Sequence, residues 1–212
     1  MTSGVEMKPL AKVIPLFSSK AAGFELDVTL RQVKPAVWRR LRVSASLSLR
    51  ELHHVLQITL GWEDKHLHEF RIGEKRYGMK VPGEKPIPDE REFQLGPLLR
   101  AVDELEYLYD FGDGWSHQVL VKPVPLTARS PKAECLDGDR AVPPEDCGGP
   151  PGYRDLIKAL SKPKSPRGRE VLEWIGPGFD PEQFDLRAVN RELRTAGTKA
   201  FLRKREQFYE GN

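Results

Sequence analysis

The sequence is poor in cysteine and has no long apolar run. Its 212 residues include two cysteines, Cys135 and Cys147, which are too few for a disulfide scaffold. Because no stretch of 18 apolar residues occurs, we expect neither a membrane span nor a membrane partner. The apolar segment at 13–17 contains Pro15 and lacks a cleavage pattern, so a signal peptide is not indicated. The expected location is therefore the cytoplasm.

The chain also lacks internal repeats, a glycine-rich phosphate loop and the strand–helix alternation of a parallel sheet. Strands grouped in hairpins and followed by helices instead predict the α+β class, a single domain in which an antiparallel sheet carries helices on one side. We divide the chain into a flexible leader at 1–22, the domain at 23–195 and a basic polar tail at 196–212. The net charge of +3 permits contact with nucleic acid without requiring it.

Local sequence patterns predict the positions of the main strands and helices. Residues 24–30 alternate apolar and polar side chains, and 37–44 read as a second strand. Ser48 and Glu51 form a capping box that begins a helix, which ends at Gly61. Further strands are predicted at 66–72, 75–79, 105–111 and 115–122, with helices within 93–102, at 153–160, at 168–175 and through Leu186, Val189 and Leu193. Most of 123–152 is predicted to be irregular because Pro, Gly and Asp dominate it.

The stretch YDFGDGWSH at 109–117 carries more titratable groups than a turn requires. Asp113 and Gly114 suit a two-residue type I′ turn, which would set Asp110 opposite His117 with Cβ atoms about 5 Å apart. A three-residue turn at 112–114 would instead set Tyr109 opposite His117. A facing carboxylate and imidazole are consistent either with a structural pair that fixes the hairpin register or with part of a site.

Two other segments offer metal ligands or a catalytic base. His66 and His68 are two residues apart on a predicted strand, so both imidazoles would share one face. With Asp110 and His117 they form our candidate set of metal ligands, although a polar strand face also explains the pair. The loop at 135–149 supplies Glu145 and Asp146 as candidate bases; its acids could equally cap helices and turns. Trp62 and Trp115 are expected to form the pocket wall.

Several further side chains have simpler explanations. His53 lies on the buried stripe of the first predicted helix, which indicates a core histidine with hydrogen-bond partners, and His54 follows it. The spacing of the two cysteines differs from that of zinc fingers and ribbons. The end of the chain is basic, and its cations are either solvated or candidate contacts for nucleic-acid phosphates. These candidates are Arg187, Arg191, Arg194, Arg203, Lys204 and Arg205.

Taken together, five motifs resemble the plasmid pRiA4b ORF-3-like proteins. They are WRR at 38–40, LHHVLQITLGW at 52–62, HLHEF at 66–70, YDFGDGWSH at 109–117 and PPEDCGGPPGY at 143–153. The resemblance implies a single α+β domain of bacteria and archaea that is often associated with plasmids or transposable elements. It assigns no biochemical activity, and neither a serine nor a tyrosine recombinase pattern is present.

Three hypotheses for function follow. The first is a binding module associated with nucleic acid or a mobile element, whose Asp/His pocket holds a divalent metal ion. The second is a metal-assisted hydrolase of the phosphoesterase type, in which His68, Asp110 and His117 bind the metal and Glu145 or Asp146 is the base. The third is a protein–protein adaptor without chemistry, in which the histidines are structural.

Overall fold

A computed structural model describes residues 23–80, 86–176 and 178–196. The predicted leader at 1–22 and all but the first residue of the predicted tail lie outside the described residues, so the division of the chain remains a prediction. Within the described ranges, none of the helices combines the length and apolar character needed to cross a membrane.

Seven antiparallel strands form one sheet. They are β1 (Gly23–Leu30), β2 (Trp38–Ser44), β3 (His68–Ile72), β4 (Lys75–Gly78), β5 (Glu104–Tyr109), β6 (Trp115–Val124) and β7 (Ala133–Asp139). The order across the sheet is β4-β3-β5-β6-β1-β2-β7, and every neighbouring pair is antiparallel. The helices of the described residues are α1 (Leu49–Leu60), α2 (Leu95–Leu99), α3 (Gly149–Leu160), α4 (Pro166–Ile175) and α5 (Leu186–Ala196), and a 3-10 turn spans Glu90–Glu92. The predicted α+β fold is confirmed.

The two faces of the sheet differ in chemistry. Phe24, Leu26 and Val28 of β1 point into the core, as their alternation predicts. The other face carries cross-strand ion pairs: Asp27–Arg40 at 2.6 Å, Glu25–Arg42 at 3.1 Å, Glu104–Arg31 at 2.9 Å and Glu106–Arg71 at 3.1 Å. Exposed ion pairs of this kind stabilise a fold only slightly. Their exposure shows that this face of the sheet is in contact with solvent, so the helices cover the opposite face.

Helix α1 lies in the core. The predicted capping box between Ser48 and Glu51 is present, and Gly61 ends the helix with φ 73°. Eleven of its twelve residues are buried, including polar ones that need partners. His53 has them: its Nδ1 lies 2.8 Å from the Tyr107 hydroxyl and its Nε2 lies 2.6 Å from Asp64 Oδ1. The interpretation of His53 as a core histidine is confirmed.

Most of 123–152 is irregular, as predicted, but strand β7 lies within it and was not predicted. The strand pairs only with β2, and in its sequence AECLDGD a single apolar side chain, Cys135, is fully buried. An edge strand with one core residue has no clear alternation to detect. Its outer edge is closed by α5, where Asn190 Oδ1 accepts from Cys135 N at 2.9 Å and Asn190 Nδ2 donates to Cys135 O at 2.7 Å.

Candidate functional site

The β5–β6 hairpin has a longer turn than either register we predicted. Tyr107 faces His117 and Tyr109 faces Trp115, which leaves five residues in the turn, so both predicted pairings of His117 are wrong. Asp110 is the reason. Its φ is 56°, its carbonyl accepts from Gly114 N at 2.6 Å, and its Oδ1 accepts from the amides of residues 112 and 113 at 2.9 and 3.2 Å. Asp110 therefore organises the turn through its own side chain.

The observed register places His117 in the core, on the face of the sheet that holds the tyrosines. Its Nδ1 donates to the Tyr107 carbonyl oxygen at 3.1 Å, and its ring meets the edge of Trp62 at a centroid distance of 5.3 Å. Complete burial lowers the pKa of His117 to about 4. It is thus a neutral core residue at pH 7, and the register separates it from Asp110.

His68 also faces the core, although it begins β3. Its Nε2 lies 2.7 Å from Glu90 Oε2, and its ring stacks on His53 at a centroid distance of 3.5 Å. Burial tends to raise the pKa of Glu90, but the bond from His68 and the charge of Arg50, at 3.0 Å, outweigh it and lower the pKa to about 2. Sequence reasoning missed Glu90 and Arg50, because a charged loop and a helix gave no signal that they would pair.

His66 lies before β3, and two carboxylates approach it. Its Nε2 is 3.3 Å from Asp146 Oδ1 and 3.7 Å from Asp110 Oδ2, and one ligand atom from each residue lies within 4.8 Å of the others. The imidazole is held edge-on against Tyr109 at 5.8 Å. Three of the predicted residues, from three separate segments, thus meet at one point.

The two carboxylates of this cluster are placed by unusual backbone conformations. Asp110 has φ 56° and Asp146 has φ 59°, a left-handed region that residues other than glycine seldom adopt, although aspartate tolerates it better than most. The two carboxylate oxygens of Asp110 have different partners: Oδ1 accepts hydrogen bonds from the turn amides, while Oδ2 faces His66. Strained residues of this kind concentrate at functional sites, so their convergence on one imidazole is informative.

A clamp joins the hairpin to the loop that carries Asp146. Tyr109 donates its hydroxyl to Glu145 Oε1 at 2.7 Å, and the amide of Glu63 donates to the same oxygen at 3.1 Å. On the turn side, Gly148 N donates to Asp113 Oδ2 at 3.1 Å. Glu145 is therefore held in a structural role through Oε1, while its Oε2 lies 3.7 Å from a lysine ammonium group. Its use as a base remains a prediction.

A groove opens beside this cluster. Its volume is about 490 Å³. It is lined by aromatic, apolar and acidic residues: Gly61, Trp62, Glu63, Lys65, Val142, Pro143, Pro144, Glu145, Asp146, Trp174, Ile175 and Phe179. Trp62 is part of this wall, fixed by a bond from its Nε1 to the Pro143 carbonyl at 3.0 Å. Trp115 is buried in the core and is absent from the lining. Asp146 belongs to both the cluster and the groove.

The remaining candidates lie elsewhere. Arg187, Arg191 and Arg194 are exposed on α5. The other nucleic-acid candidates, Arg203, Lys204 and Arg205, lie outside the described residues. Both cysteines are free thiols.

Known proteins show the same pattern of sequence and fold. The family model described as plasmid pRiA4b ORF-3-like protein matches residues 22–188. A relative from Sinorhizobium fredii, the uncharacterized protein y4hQ, is 38% identical over 192 residues, covering 84% of this chain and 94% of the relative. A crystal structure of a protein of unknown function from Methanosarcina mazei Go1 has a TM-score of 0.70 at 30% identity, covering 77% of this chain and 95% of that one. The chain therefore belongs to the plasmid pRiA4b ORF-3-like family.

Proposed function

We propose that this protein is a binding module that holds a divalent metal ion between His66, Asp110 and Asp146. The observation that carries the proposal is the convergence of one imidazole nitrogen and two carboxylate oxygens within 4.8 Å. The His66 Nε2 atom is buried and has no hydrogen-bond partner among the described residues, although it faces both carboxylates. A cation would give all three atoms a partner at once.

The spacing of the donor atoms supports a shared ion. Two ligands that each lie about 2.1 Å from a tetrahedral ion are separated from one another by about 3.4 Å. The distance from His66 Nε2 to Asp146 Oδ1 is 3.3 Å, and the distance to Asp110 Oδ2 is 3.7 Å. The Asp146 side chain is exposed, so its oxygen has room to adjust toward a shared ion.

The donor chemistry narrows the choice of ion. Carboxylate oxygens with one imidazole suit Zn²⁺, Mn²⁺ or Mg²⁺ and disfavour soft ions such as Cu⁺. Two carboxylates also neutralise a divalent charge. The competing occupant is a proton on His66, which would bridge the same two carboxylates without a metal.

Metal titration separates these two occupants. Isothermal titration of the full chain with Zn²⁺ and with Mn²⁺ is expected to show one site. The variants Asp146→Asn and Asp110→Asn should each weaken binding at least tenfold; the asparagine at 110 keeps the Oδ1 acceptor that the turn requires. Asp155→Asn, at an exposed acid of α3, is the matched control and should bind as the wild type does. Absence of binding, or equal binding by all four proteins, would contradict the proposal.

The other two hypotheses are favoured less by this geometry. A hydrolase needs a free base beside the ion, yet Glu145 Oε1 already accepts two hydrogen bonds, and Asp146 serves as a ligand in our proposal. An adaptor without chemistry accounts for the turn that Asp110 organises, but it gives no role to the approach of Asp110 Oδ2 and Asp146 Oδ1 to His66.

A further inference from the structure

The helical hairpin formed by α3 and α4 carries a group of closely spaced cations. Six cations occur between residues 154 and 169, namely Arg154, Lys158, Lys162, Lys164, Arg167 and Arg169, against the single acid Asp155. All six are exposed. Residues 154–169 therefore have a net charge of +5, and the two acids farther along α4, Glu170 and Glu173, bring the net charge of the whole hairpin to +3.

These cations differ from the arginines on the sheet. Arg40 and Arg42 each pair with a carboxylate of β1, at 2.6 and 3.1 Å. On the α3–α4 hairpin, the ion pair that the described residues form is Arg167–Glu170 at 2.8 Å, with both side chains largely exposed. Arg169 binds the carbonyl oxygen of Lys164 and not a carboxylate. The charges of Arg40 and Arg42 are thus neutralised within the molecule, whereas five of the six cations on the hairpin have no carboxylate partner among the described residues.

The cations also follow the shape of the hairpin. Arg154 and Lys158 are one helical turn apart, about 6 Å along the axis of α3, and Lys162 follows where α3 has ended. Lys164 and Arg167 flank the N-terminus of α4, a ten-residue helix capped by Ser165. The partial positive charge of that end favours an anion as well.

We propose that the α3–α4 hairpin binds nucleic acid through its phosphate backbone. A row of separate charges spread over sixteen residues suits a repeating polyanion, because each cation can meet a different phosphate. A membrane surface is disfavoured, since binding there also requires apolar side chains among the cations. The exposed apolar residues of α4, Leu172 and Trp174, lie toward its opposite end, and Trp174 lines the groove. This inference goes beyond the proposed metal site and does not depend on it.

Salt-dependent binding tests the proposal. The full chain, without added metal, is titrated against a labelled mixed-sequence duplex of roughly 20 base pairs, followed by fluorescence anisotropy between about 50 and about 200 mM salt. The wild type should bind with an affinity that falls steeply with salt. In the triple variant Lys162→Gln, Lys164→Gln, Arg167→Gln, three lost phosphate contacts should reduce the slope of log affinity against log salt by about 2.7.

The comparison variant removes the same charge from α5, whose arginines are the competing candidates for phosphate contact. The triple variant Arg187→Gln, Arg191→Gln, Arg194→Gln should retain most of the affinity and slope, and thermal melting should show that both variants are folded. The proposal is overturned if the wild type does not bind the duplex at low salt. It is also overturned if the α5 variant loses binding while the hairpin variant keeps it, or if the protein binds anionic vesicles but not the duplex.

Discussion

The Tyr109 hydroxyl donates a 2.7 Å hydrogen bond to Glu145 Oε1, and this bond ties the end of β5 to the proline-rich loop. Asp110 follows Tyr109 in the chain and Asp146 follows Glu145, and each of these two aspartates places a carboxylate near His66. This bond and the one from Gly148 N to Asp113 Oδ2 thus hold together two segments that are far apart in the chain, Tyr109 and Glu145 being 36 residues apart.

Removal of that contact should affect stability and the site together. Tyr109→Phe leaves the largely buried Glu145 carboxylate without its hydroxyl donor, so we expect unfolding to become easier by about 1–3 kcal/mol and metal affinity to fall. Chemical denaturation and metal titration measure the two effects. Tyr77→Phe is the control, because Tyr77 is buried but its hydroxyl makes no hydrogen bond among the described residues. Equal effects of the two substitutions would contradict the role of the clamp.

The approach of the loop to the hairpin turn should be sensitive to a single methyl group. Gly149 has φ 66°, and a Cβ added there would lie 2.4 Å from the Asp113 carbonyl oxygen. Gly149→Ala should therefore displace the loop and weaken metal binding, although none of the three ligands is changed. Gly73→Ala is the matched control, since Gly73 has φ 58° with nothing within 4 Å. If both variants bind metal as tightly as the wild type, the close approach at Gly149 does not position the ligands and the packing argument is wrong.

Stability should decrease in mild acid because two histidines are buried in neutral form. Burial lowers the pKa of His117 to about 4 and that of His53, also beside His68, well below its usual value. The unfolded chain takes up these protons near pH 6.5 and the folded protein does not, so the stability present above pH 6.5 is lost as pH falls toward the folded pKa.

For His117 alone the expected loss is about 2 kcal/mol between about pH 7 and about pH 5. Denaturant titrations at several pH values measure this slope. In His117→Asn, the change of the free energy of unfolding with pH should become smaller by the contribution of one proton, whatever the absolute stability of the variant. A free energy of unfolding that stays constant between neutral pH and pH 5 would show that these histidines titrate normally.

The contact between α5 and the edge of the sheet gives a further prediction. Asn190→Ala removes both bonds to the Cys135 backbone, and we expect a loss of about 1–3 kcal/mol in the free energy of unfolding. Arg191→Ala, at an exposed neighbouring position, should change it by less than about 0.5 kcal/mol. A variant at 190 as stable as the wild type would mean that α5 packs on β7 without this amide.

The sequence predicted those elements whose signals are local. The capping box at Ser48, the glycine that ends α1 and the alternation in β1 each depend on neighbours within a few residues. The prediction of the hairpin turn was wrong because Asp113-Gly114 suits a type I′ turn so well. The group that decides the turn is the Asp110 side chain, which accepts hydrogen bonds from amides two and three residues ahead.

The candidate site was predicted in part for a related reason. His66, Asp110 and Asp146 were all identified as candidates, and the structure brings them together. His68 and His117 were expected to join them. The position at which β3 begins directs His68 into the core, and the register of the β5–β6 pair does the same for His117. Alternation along a strand indicates which residues share a face, but it cannot show where the strand begins.

The most direct test of the metal site observes the histidines themselves. The chain has five, and each can be followed by nuclear magnetic resonance of ¹⁵N-histidine-labelled protein during titration with Zn²⁺. We predict that the Nε2 signal of His66 shifts, that the change is complete at one equivalent, and that the buried His53 and His68 signals stay in place. An unchanged His66 signal, or a first response from His53 or His54, would contradict a metal site at His66, Asp110 and Asp146.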